Sequence, residues 1–435
     1  MGLVCKIIVN RSIITLYDLS RVVKNTKDWR FAMDFDVIQS LLKHDETGKI
    51  VLLVLDGLGG LPMEEGGETE LEAANKLNMD ALAKKSMLGL HQGIRTGITP
   101  GSGPAHLSLF GYDPLKYKVG RGVLSALGID FDLQKNDVAA RGNFCTVDEQ
   151  GRVIDRRAGR IPTEISNRLC KLLNEKVNIP GVEVFLRTVK EYRFLLVIRG
   201  EGLSPNIEET DPQVTGEKPL LAKALDKESE KAAEIVQEFV RQAEKILADE
   251  SPANMLLLRG FAQWPDWPMF PEVFGLKSLA IAMYPMYRGV AKLVGMDSPP
   301  ASQSYEEEID LLEEKWNDYD FFFVHIKKTD SYGEDGSFDK KVGEIEKVDA
   351  LLPRILALDP SVLIITGDHS TPCAMKCHSW HPVPVLFYAK LCRPDGIESF
   401  GERACLKGGL GTRFPAYELM PLALAHANRL EKFGA

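Results

Sequence analysis

The chain has 435 residues, and its 53 Lys and Arg against 62 Asp and Glu give a net charge of -9. No basic stripe with interleaved aromatic residues is present, which argues against nucleic acid as a partner. No apolar run has membrane-spanning length, and the 7 cysteines are scattered and odd in number, as in reduced cytosolic proteins. We predict a cytoplasmic protein without a nucleic-acid or membrane partner, whose length implies two domains.

The first predicted strand is the apolar run 51–55, VLLVL, which leads directly into Asp56. Short continuous apolar runs are typical of strands that helices cover on both faces. In an open, mostly parallel sheet, ligands and catalytic groups collect at the carboxyl ends of such strands. A lone Asp in this position is more often a helix cap or turn residue, so Asp56 alone does not define a site.

A tight turn and a helix follow in the segment 99–108, TPGSGPAHLS, with Ser102 at the amino end of the helix. Free backbone N–H groups and the helix dipole favour a phosphate at such a position. A hydroxyl that touches a divalent metal is also easier to deprotonate. Ser102 is therefore a candidate nucleophile, and a plain N-cap is the alternative interpretation.

The middle of the chain has its own organisation, with short strands near 197–198 and 256–258 and an amphipathic helix over 226–250. We predict a metal-binding core assembled from residues 33–114 and 277–435. An inserted, smaller α+β domain that binds substrate would comprise residues 115–276. Residues 1–32 are an extension of open status: either Met33 is the true initiator, or the extension is an extra element packed on the core.

Two later apolar runs also lead into metal-type residues. The run 321–326, FFFVHI, is followed by Asp330 and Glu334, and the motif that begins at Thr366 contains Asp368 and His369, with His378 shortly after. Carboxylates and imidazoles together form mixed oxygen and nitrogen sites for Mn, Zn, Co or Mg. These residues outnumber the ligands of a four-coordinate zinc site, and paired metals are common in phosphoryl transfer, so we predict two metals.

Two alternatives concern the end of this motif. His378 and His381 could be ordinary loop histidines with satisfied hydrogen bonds. A zinc–thiolate site at Cys373 and Cys377 is disfavoured, because no second cysteine pair with finger-like spacing follows.

Eight motifs in order along the chain resemble those of one known family. They are VLLVLDGLGGLP, LEAANKLNMDALA, ITPGSGPAHLSLFGYDP, RGNFCTVD, DRRAGRI, YPMYRGVAKLVGMD, HIKKTDSYGEDGSFDKKVGEIEKVD and GDHSTPCAMKCHSWHPVPVLF. They are similar to the cofactor-independent phosphoglycerate mutases of the archaeal type, in the alkaline phosphatase superfamily. The resemblance implies an α/β core with a mostly parallel sheet between helices. It also implies interconversion of 3-phosphoglycerate and 2-phosphoglycerate through a phosphoserine enzyme with two divalent metals.

The resemblance also implies individual ligands and a nucleophile. Ser102 is the nucleophile and contacts one metal. The remaining ligands of that metal are Asp56, Asp368 and His369, and those of the other metal are Asp330, Glu334 and His378. The family usually has His where Glu334 stands. A carboxylate is a harder ligand, so we expect a preference for Mn or Mg over Zn, with Zn or Co as the alternative metals.

Arginines within the matching motifs are candidates for holding the phosphoglycerate, because a guanidinium binds phosphate and carboxylate bidentately. They are Arg121, Arg141, Arg157, Arg160, Arg193 and Arg288. Surface solvation is the alternative for each of them. Asp155, beside the arginines of DRRAGR, is the candidate for moving the proton on the substrate hydroxyl.

Two other functions stay open. One is a metal-dependent phosphomonoesterase or a mutase of another small phosphorylated acid, because Gly103 and Ser125 stand where many relatives carry Asp and Glu. The other is a noncatalytic, metal-stabilised protein that binds a phosphorylated ligand. No sequence feature predicts the oligomeric state.

Overall fold

The computed structural model describes residues 35–43 and 46–434. The predictions for residues 1–32 and for Met33 lie outside these residues. The β-strands are β1 (Ile50–Leu55), β2 (Met87–Gln92), β3 (Val138–Val147), β4 (Val153–Asp155), β5 (Glu183–Lys190), β6 (Arg193–Arg199), β7 (Met255–Ala262), β8 (Ser278–Ala282), β9 (Phe321–Ile326), β10 (Val362–Thr366), β11 (Val383–Ala389) and β12 (Gly411–Pro415).

The α-helices are α1 (Phe35–Ser40), α2 (Glu70–Ala73), α3 (Leu77–Ala83), α4 (Ser102–Leu109), α5 (Arg121–Leu127), α6 (Thr163–Lys176), α7 (Glu230–Leu247), α8 (Phe270–Phe274), α9 (Pro285–Leu293), α10 (Tyr305–Lys315), α11 (Lys328–Asp335), α12 (Phe338–Ala357), α13 (Glu402–Cys405) and α14 (Leu419–His426). Short 3-10 turns lie at Ala158–Arg160, Lys227–Ser229 and Ala416–Glu418.

Seven strands form one sheet in the order β12-β2-β11-β10-β1-β9-β8. Strands β10, β1, β9 and β8 are parallel neighbours, and β12 is parallel to β2. Strand β11 runs antiparallel to both β10 and β2, so it is the reversed strand of this sheet. The predicted α/β class with a mostly parallel central sheet is confirmed.

Side chains of β1 alternate between two hydrophobic cores, one on each face of the large sheet. Leu52 and Val54 pack in the core that includes residues of α4 and α9. Leu53 and Leu55 pack in the opposite core, with residues of α10 and α12. Because both faces are covered, β1 reads in the sequence as an uninterrupted apolar run.

Strands β3 to β7 form a second, antiparallel sheet, in which β3 pairs with β4, β6 and β7, and β6 pairs with β5. Helices α6 and α7 cover one face, and α5 covers the other. Helix α5 also contacts α9 of the first core, which brings the two sheets close together. These strands fall within residues 115–276, and the boundaries of the inserted domain stay a prediction.

The helix predicted over 226–250 begins later than expected. Helix α7 begins at Glu230, because residues 227–229 form a 3-10 turn. Asp226 caps this turn by accepting a hydrogen bond from Ser229 N at 2.9 Å. Over the described part of the chain, no helix has both the length and the apolar composition that crossing a membrane requires.

Candidate active site

The carboxyl edge of the large sheet brings the predicted strand-end residues together. Strand β1 lies between β10 and β9, with Val54 opposite Thr366 on one side and His325 on the other. Parallel strands in register end at the same edge, so Asp56 after β1 lies beside Asp368 after β10. Both carboxylates are fully buried.

Asp56, Asp368 and His369 form the first donor group, with one ligand atom of each within 4.8 Å of the others. His369 Nε2 lies 3.4 Å from Asp56 Oδ1 and 3.1 Å from Asp368 Oδ2. Among residues 35–43 and 46–434, no aligned hydrogen-bond donor reaches either Asp56 oxygen or Asp368 Oδ2, and all three atoms are buried. Asp56 therefore caps no helix or turn through its side chain. Buried carboxylates are costly unless a cation balances them, so these atoms fit a metal ion.

Asp330, His369 and His378 form the second donor group. His378 Nε2 lies 3.5 Å from Asp330 Oδ1 and 3.8 Å from Glu334 Oε1. The rings of His369 and His378 stack with their centroids 3.6 Å apart, so the two groups are adjacent. The Glu334 side chain is 55% exposed, which places it at the solvent edge of this group.

Ser102 is the first residue of α4 and lies next to the first donor group. Its Oγ is 3.2 Å from His369 Nε2, and its carbonyl accepts a hydrogen bond from His106 Nδ1 at 2.8 Å. The predicted position at the amino end of a helix is confirmed. The alternative interpretation of Ser102 as the N-cap is wrong, because Gly101 occupies that position.

Sequence reasoning misses three groups beside these carboxylates. Lys327 Nζ lies 3.2 Å from Asp56 Oδ2 and 2.5 Å from Asp330 Oδ2, so its ammonium bridges the two donor groups. His106 Nδ1 lies 3.2 Å from an Asp368 oxygen, and His325 Nε2 lies 3.3 Å from an Asp56 oxygen. Lys327 precedes Asp330 by three residues in the motif HIKKTD, which is a signal that could have found it.

Burial and charge shift the pKa values of several of these groups. Burial opposes the ionisation of Asp368, but His369 and His106 outweigh it and hold the pKa of this carboxyl below its usual range. Burial lowers the pKa of His325 to about 4, so this ring is neutral near pH 7. Burial also opposes the charge on Lys327, but the two flanking carboxylates raise its pKa overall. The ammonium is therefore charged.

A cavity of about 440 Å³ opens beside Ser102, and Arg121, Arg141 and Arg193 line it. Burial, together with the neighbouring guanidinium groups of Arg193 and Arg121, lowers the pKa of Arg141. Arg193 Nε is buried and has no hydrogen-bond partner within the part of the chain that the structure describes. Clustered guanidinium groups with an unused donor favour a bound phosphate or carboxylate. The structure thus brings together half of the predicted substrate-binding arginines.

Arg288 lies in a different environment. Its Nη2 atom is 2.7 Å from Asp130 Oδ2, and its side chain is 8% exposed. Lys292 Nζ lies 3.3 Å from the other oxygen of Asp130. The Arg288 guanidinium therefore has a carboxylate partner within the protein.

The DRRAGR segment forms a turn that Asp155 holds together. Asp155 Oδ1 and Oδ2 accept hydrogen bonds from the backbone N–H groups of Arg157 at 2.8 Å and Gly159 at 2.6 Å. Asp155 pairs with Thr146 on β3, five residues beyond Arg141, which corresponds to roughly 17 Å along the strand. Arg157 and Arg160 lie in the same turn. Asp155, Arg157 and Arg160 do not line the cavity beside Ser102.

These features define a class of protein. A mostly parallel sheet presents the two donor groups, made of carboxylates and imidazoles, at one edge. At the same edge a serine hydroxyl faces a cavity lined by arginines. This arrangement is suited to metal-dependent phosphoryl transfer.

Comparison with known sequences identifies the family. The family model described as 2,3-bisphosphoglycerate-independent phosphoglycerate mutase matches residues 83–254. A Thermotoga sp. protein named "Probable 2,3-bisphosphoglycerate-independent phosphoglycerate mutase" is 53% identical over 398 residues, which cover 91% of this chain and 98% of that protein. A Thermus thermophilus protein of the same name is 51% identical over 407 residues, with coverage of 93% and 100%. The chain belongs to the 2,3-bisphosphoglycerate-independent phosphoglycerate mutase family, as predicted.

Two solved structures are similar over most of the chain. A Pyrococcus horikoshii protein is 34% identical with a TM-score of 0.73, and the match covers 90% of this chain and 100% of that one. The cofactor-independent phosphoglycerate mutase from Thermoplasma acidophilum is 28% identical with a TM-score of 0.68, and the match covers 87% and 100%.

Proposed function

We propose that this chain interconverts 3-phosphoglycerate and 2-phosphoglycerate without 2,3-bisphosphoglycerate, through a phosphoserine at Ser102. The observation that carries the proposal is the position of Ser102 Oγ. It lies 3.2 Å from His369 Nε2 and on the wall of the arginine-lined cavity. A nucleophile between a metal-type site and an anion-binding cavity can attack a phosphate that the cavity holds.

The two donor groups would hold two divalent ions. The proposed ligands are Asp56, Ser102, Asp368 and His369 for one ion, and Asp330, Glu334 and His378 for the other. When bound, such ions stabilise the charge that develops during phosphoryl transfer and lower the pKa of a bound hydroxyl. Carboxylate oxygens predominate in this ligand set, which favours Mn or Mg over Zn. Full activity with zinc alone, in protein purified without chelator, would contradict that preference.

The chain's own residues carry the proposed reaction in two steps. Arg121, Arg141 and Arg193 hold the phosphate and carboxylate of the substrate. Ser102 Oγ loses its proton and forms a bond to phosphorus while the bond from phosphorus to the glycerate oxygen breaks, and that glycerate oxygen gains a proton. The glycerate then turns, and its other hydroxyl loses a proton and takes the phosphoryl group. The bond from phosphorus to Ser102 Oγ breaks, and Oγ regains a proton. Exclusion of water between the steps separates a mutase from a phosphatase.

Replacing Arg193 by Ala is expected to lower kcat/KM for 3-phosphoglycerate, mainly through a higher KM. A hydrogen bond to a charged group contributes about 1.5–3 kcal/mol, or roughly 10- to 150-fold. The measurement is steady-state kinetics in an assay coupled to enolase. Arg187→Ala, an exposed arginine on the neighbouring strand β5, is the control and should keep the wild-type kcat/KM. Wild-type kinetics in Arg193→Ala would remove this residue from the substrate site.

We retain Asp155 as the candidate for moving the proton on the substrate hydroxyl. In that role, Asp155→Asn is expected to lower kcat by about 10²- to 10⁴-fold and to change the pH–rate profile. Its observed hydrogen bonds to Arg157 and Gly159 support a second role as a turn cap. If only the turn depends on it, Asp155→Asn will lower the melting temperature and keep the wild-type pH–rate profile, which rules out proton transfer.

The location and the partner follow from the same proposal. We expect a cytoplasmic protein that acts on a small phosphorylated acid. Subcellular fractionation with detection of the native protein tests the location, and recovery in the membrane fraction would contradict it.

A further inference from the structure

We propose that Thr371 is a positioning residue that determines which ring nitrogen of His369 carries hydrogen. Hydrogen on Nδ1 leaves the lone pair of Nε2 available to bind a metal ion in the first donor group. The inference rests on the metal-dependent function proposed above. Thr371 is fully buried between the two donor groups. Its Oγ1 lies 2.6 Å from Asp330 Oδ1 and 3.0 Å from His369 Nδ1.

The direction of each hydrogen bond follows from the chemistry of the three groups. An ionised carboxylate only accepts, so the Thr371 hydroxyl donates its single hydrogen to Asp330. The same oxygen must then accept from His369, whose Nδ1 therefore carries hydrogen. In a neutral imidazole with hydrogen on Nδ1, the lone pair is on Nε2. This is the atom that faces Ser102 Oγ and the carboxylates of the first donor group.

The backbone around Thr371 holds this hydroxyl in place. Thr371 N donates to Gly59 O at 3.0 Å, and Thr371 O accepts from the buried Lys341 Nζ at 2.9 Å. Lys341 Nζ also donates to Gly59 O at 3.2 Å, which ties the loop after β10 to the loop after β1. Gly57 has φ +64°, and a Cβ there would lie 2.5 Å from Thr371 Oγ1. A glycine at this position therefore leaves room for the hydroxyl.

Partners of this kind fix the tautomer and the orientation of metal-binding histidines, and their loss typically costs about 10- to 100-fold in metal affinity or activity. Thr371 contacts a member of each donor group, so loss of its hydroxyl should lower the metal affinity of both donor groups. Its position two residues after His369 in the motif GDHSTP gives no such indication, because Thr in this place also suits a turn.

The test is calorimetric titration of metal-free protein with Mn. Thr371→Val removes the hydroxyl while nearly keeping the shape, and its Mn affinity is expected to fall about 10- to 100-fold. Thr371→Ser keeps the hydroxyl and should stay close to wild type. The control is Thr210→Val, which removes another buried hydroxyl, one that accepts from Leu258 N at 2.8 Å in the second sheet. This control should bind Mn like wild type even if it unfolds at a lower temperature.

Wild-type Mn affinity in Thr371→Val would overturn the inference. An equal loss in Thr371→Ser and Thr371→Val would also overturn it, because the hydroxyl would then not be the cause. The proposed function can fail separately. Suppose that the wild-type protein does not convert phosphoglycerate, and that among the variants only Thr371→Val loses Mn affinity, while Thr371→Ser and Thr210→Val keep it. The mutase proposal then fails, and the role of Thr371 stands.

Discussion

Ser102→Ala is expected to lower kcat for phosphoglycerate interconversion by about 10⁴-fold or more, the scale on which removal of a nucleophile acts in serine enzymes. The proposed reaction transfers the phosphoryl group to Ser102 Oγ, and Ala at this position has no side-chain oxygen to accept it. Intact-mass measurement after incubation with 3-phosphoglycerate gives a second readout. Wild-type protein should acquire a phosphoryl group that Ser102→Ala does not.

Ser108→Ala is the matched control for this substitution. Ser108 lies on the same helix, and its buried hydroxyl has no hydrogen-bond partner among the described residues. Its replacement should leave kcat and the phosphoenzyme unchanged. Near wild-type turnover in Ser102→Ala would contradict the phosphoserine account, even if metal binding were intact.

Asp368→Asn is expected to abolish both activity and most of the stabilisation that metal gives. The buried Asp368 Oδ2 lies 3.1 Å from His369 Nε2, and the substitution replaces its charge with a neutral amide. An ion that binds only the folded state stabilises it by about 2.7 kcal/mol at 100 times its Kd. If the Kd rises 100-fold, the same concentration stabilises by only about 0.4 kcal/mol.

Thermal unfolding of each protein with Mn and then with EDTA measures the stabilisation that the ion gives. Because each protein is compared with its own metal-free form, any effect of the substitution on the stability of that form cancels. Asp349→Asn is the control, because Asp349 is a buried carboxylate that accepts a hydrogen bond from Met79 N at 2.7 Å, away from the donor groups. It should lose stability and keep the wild-type gain with Mn. A full gain in Asp368→Asn would exclude Asp368 as a ligand.

The strands that carry the site could be predicted because they are buried on both faces. The run 321–326 coincides with β9, and the run 51–55 lacks only Ile50 of β1. A continuous apolar stretch followed by an acidic residue is a local signal, and parallel strands place such residues at one edge. The start of α4 at Ser102 was also within reach, because Pro and Gly mark the turn before it.

The partners of individual charged side chains could not be predicted, because they depend on packing between distant segments. Lys327 is near Asp330 in the sequence, but its contact with Asp56 exists only because β9 pairs with β1. Arg288 lies within a matching motif, yet Asp130 of another segment binds it. A motif thus predicts where a residue lies in the fold, and tertiary structure decides which charge faces it.

The most direct test of the central claim is conversion of 3-phosphoglycerate by the wild-type protein, coupled to enolase, in the absence of 2,3-bisphosphoglycerate. The assay is run with Mn, then with EDTA, with Ser102→Ala in parallel. We expect turnover with Mn that EDTA removes, added Mn restores and Ser102→Ala lacks. Release of inorganic phosphate without 2-phosphoglycerate would contradict the mutase account and indicate a phosphomonoesterase. Stabilisation by phosphoglycerate without any turnover would contradict it in favour of a binding protein.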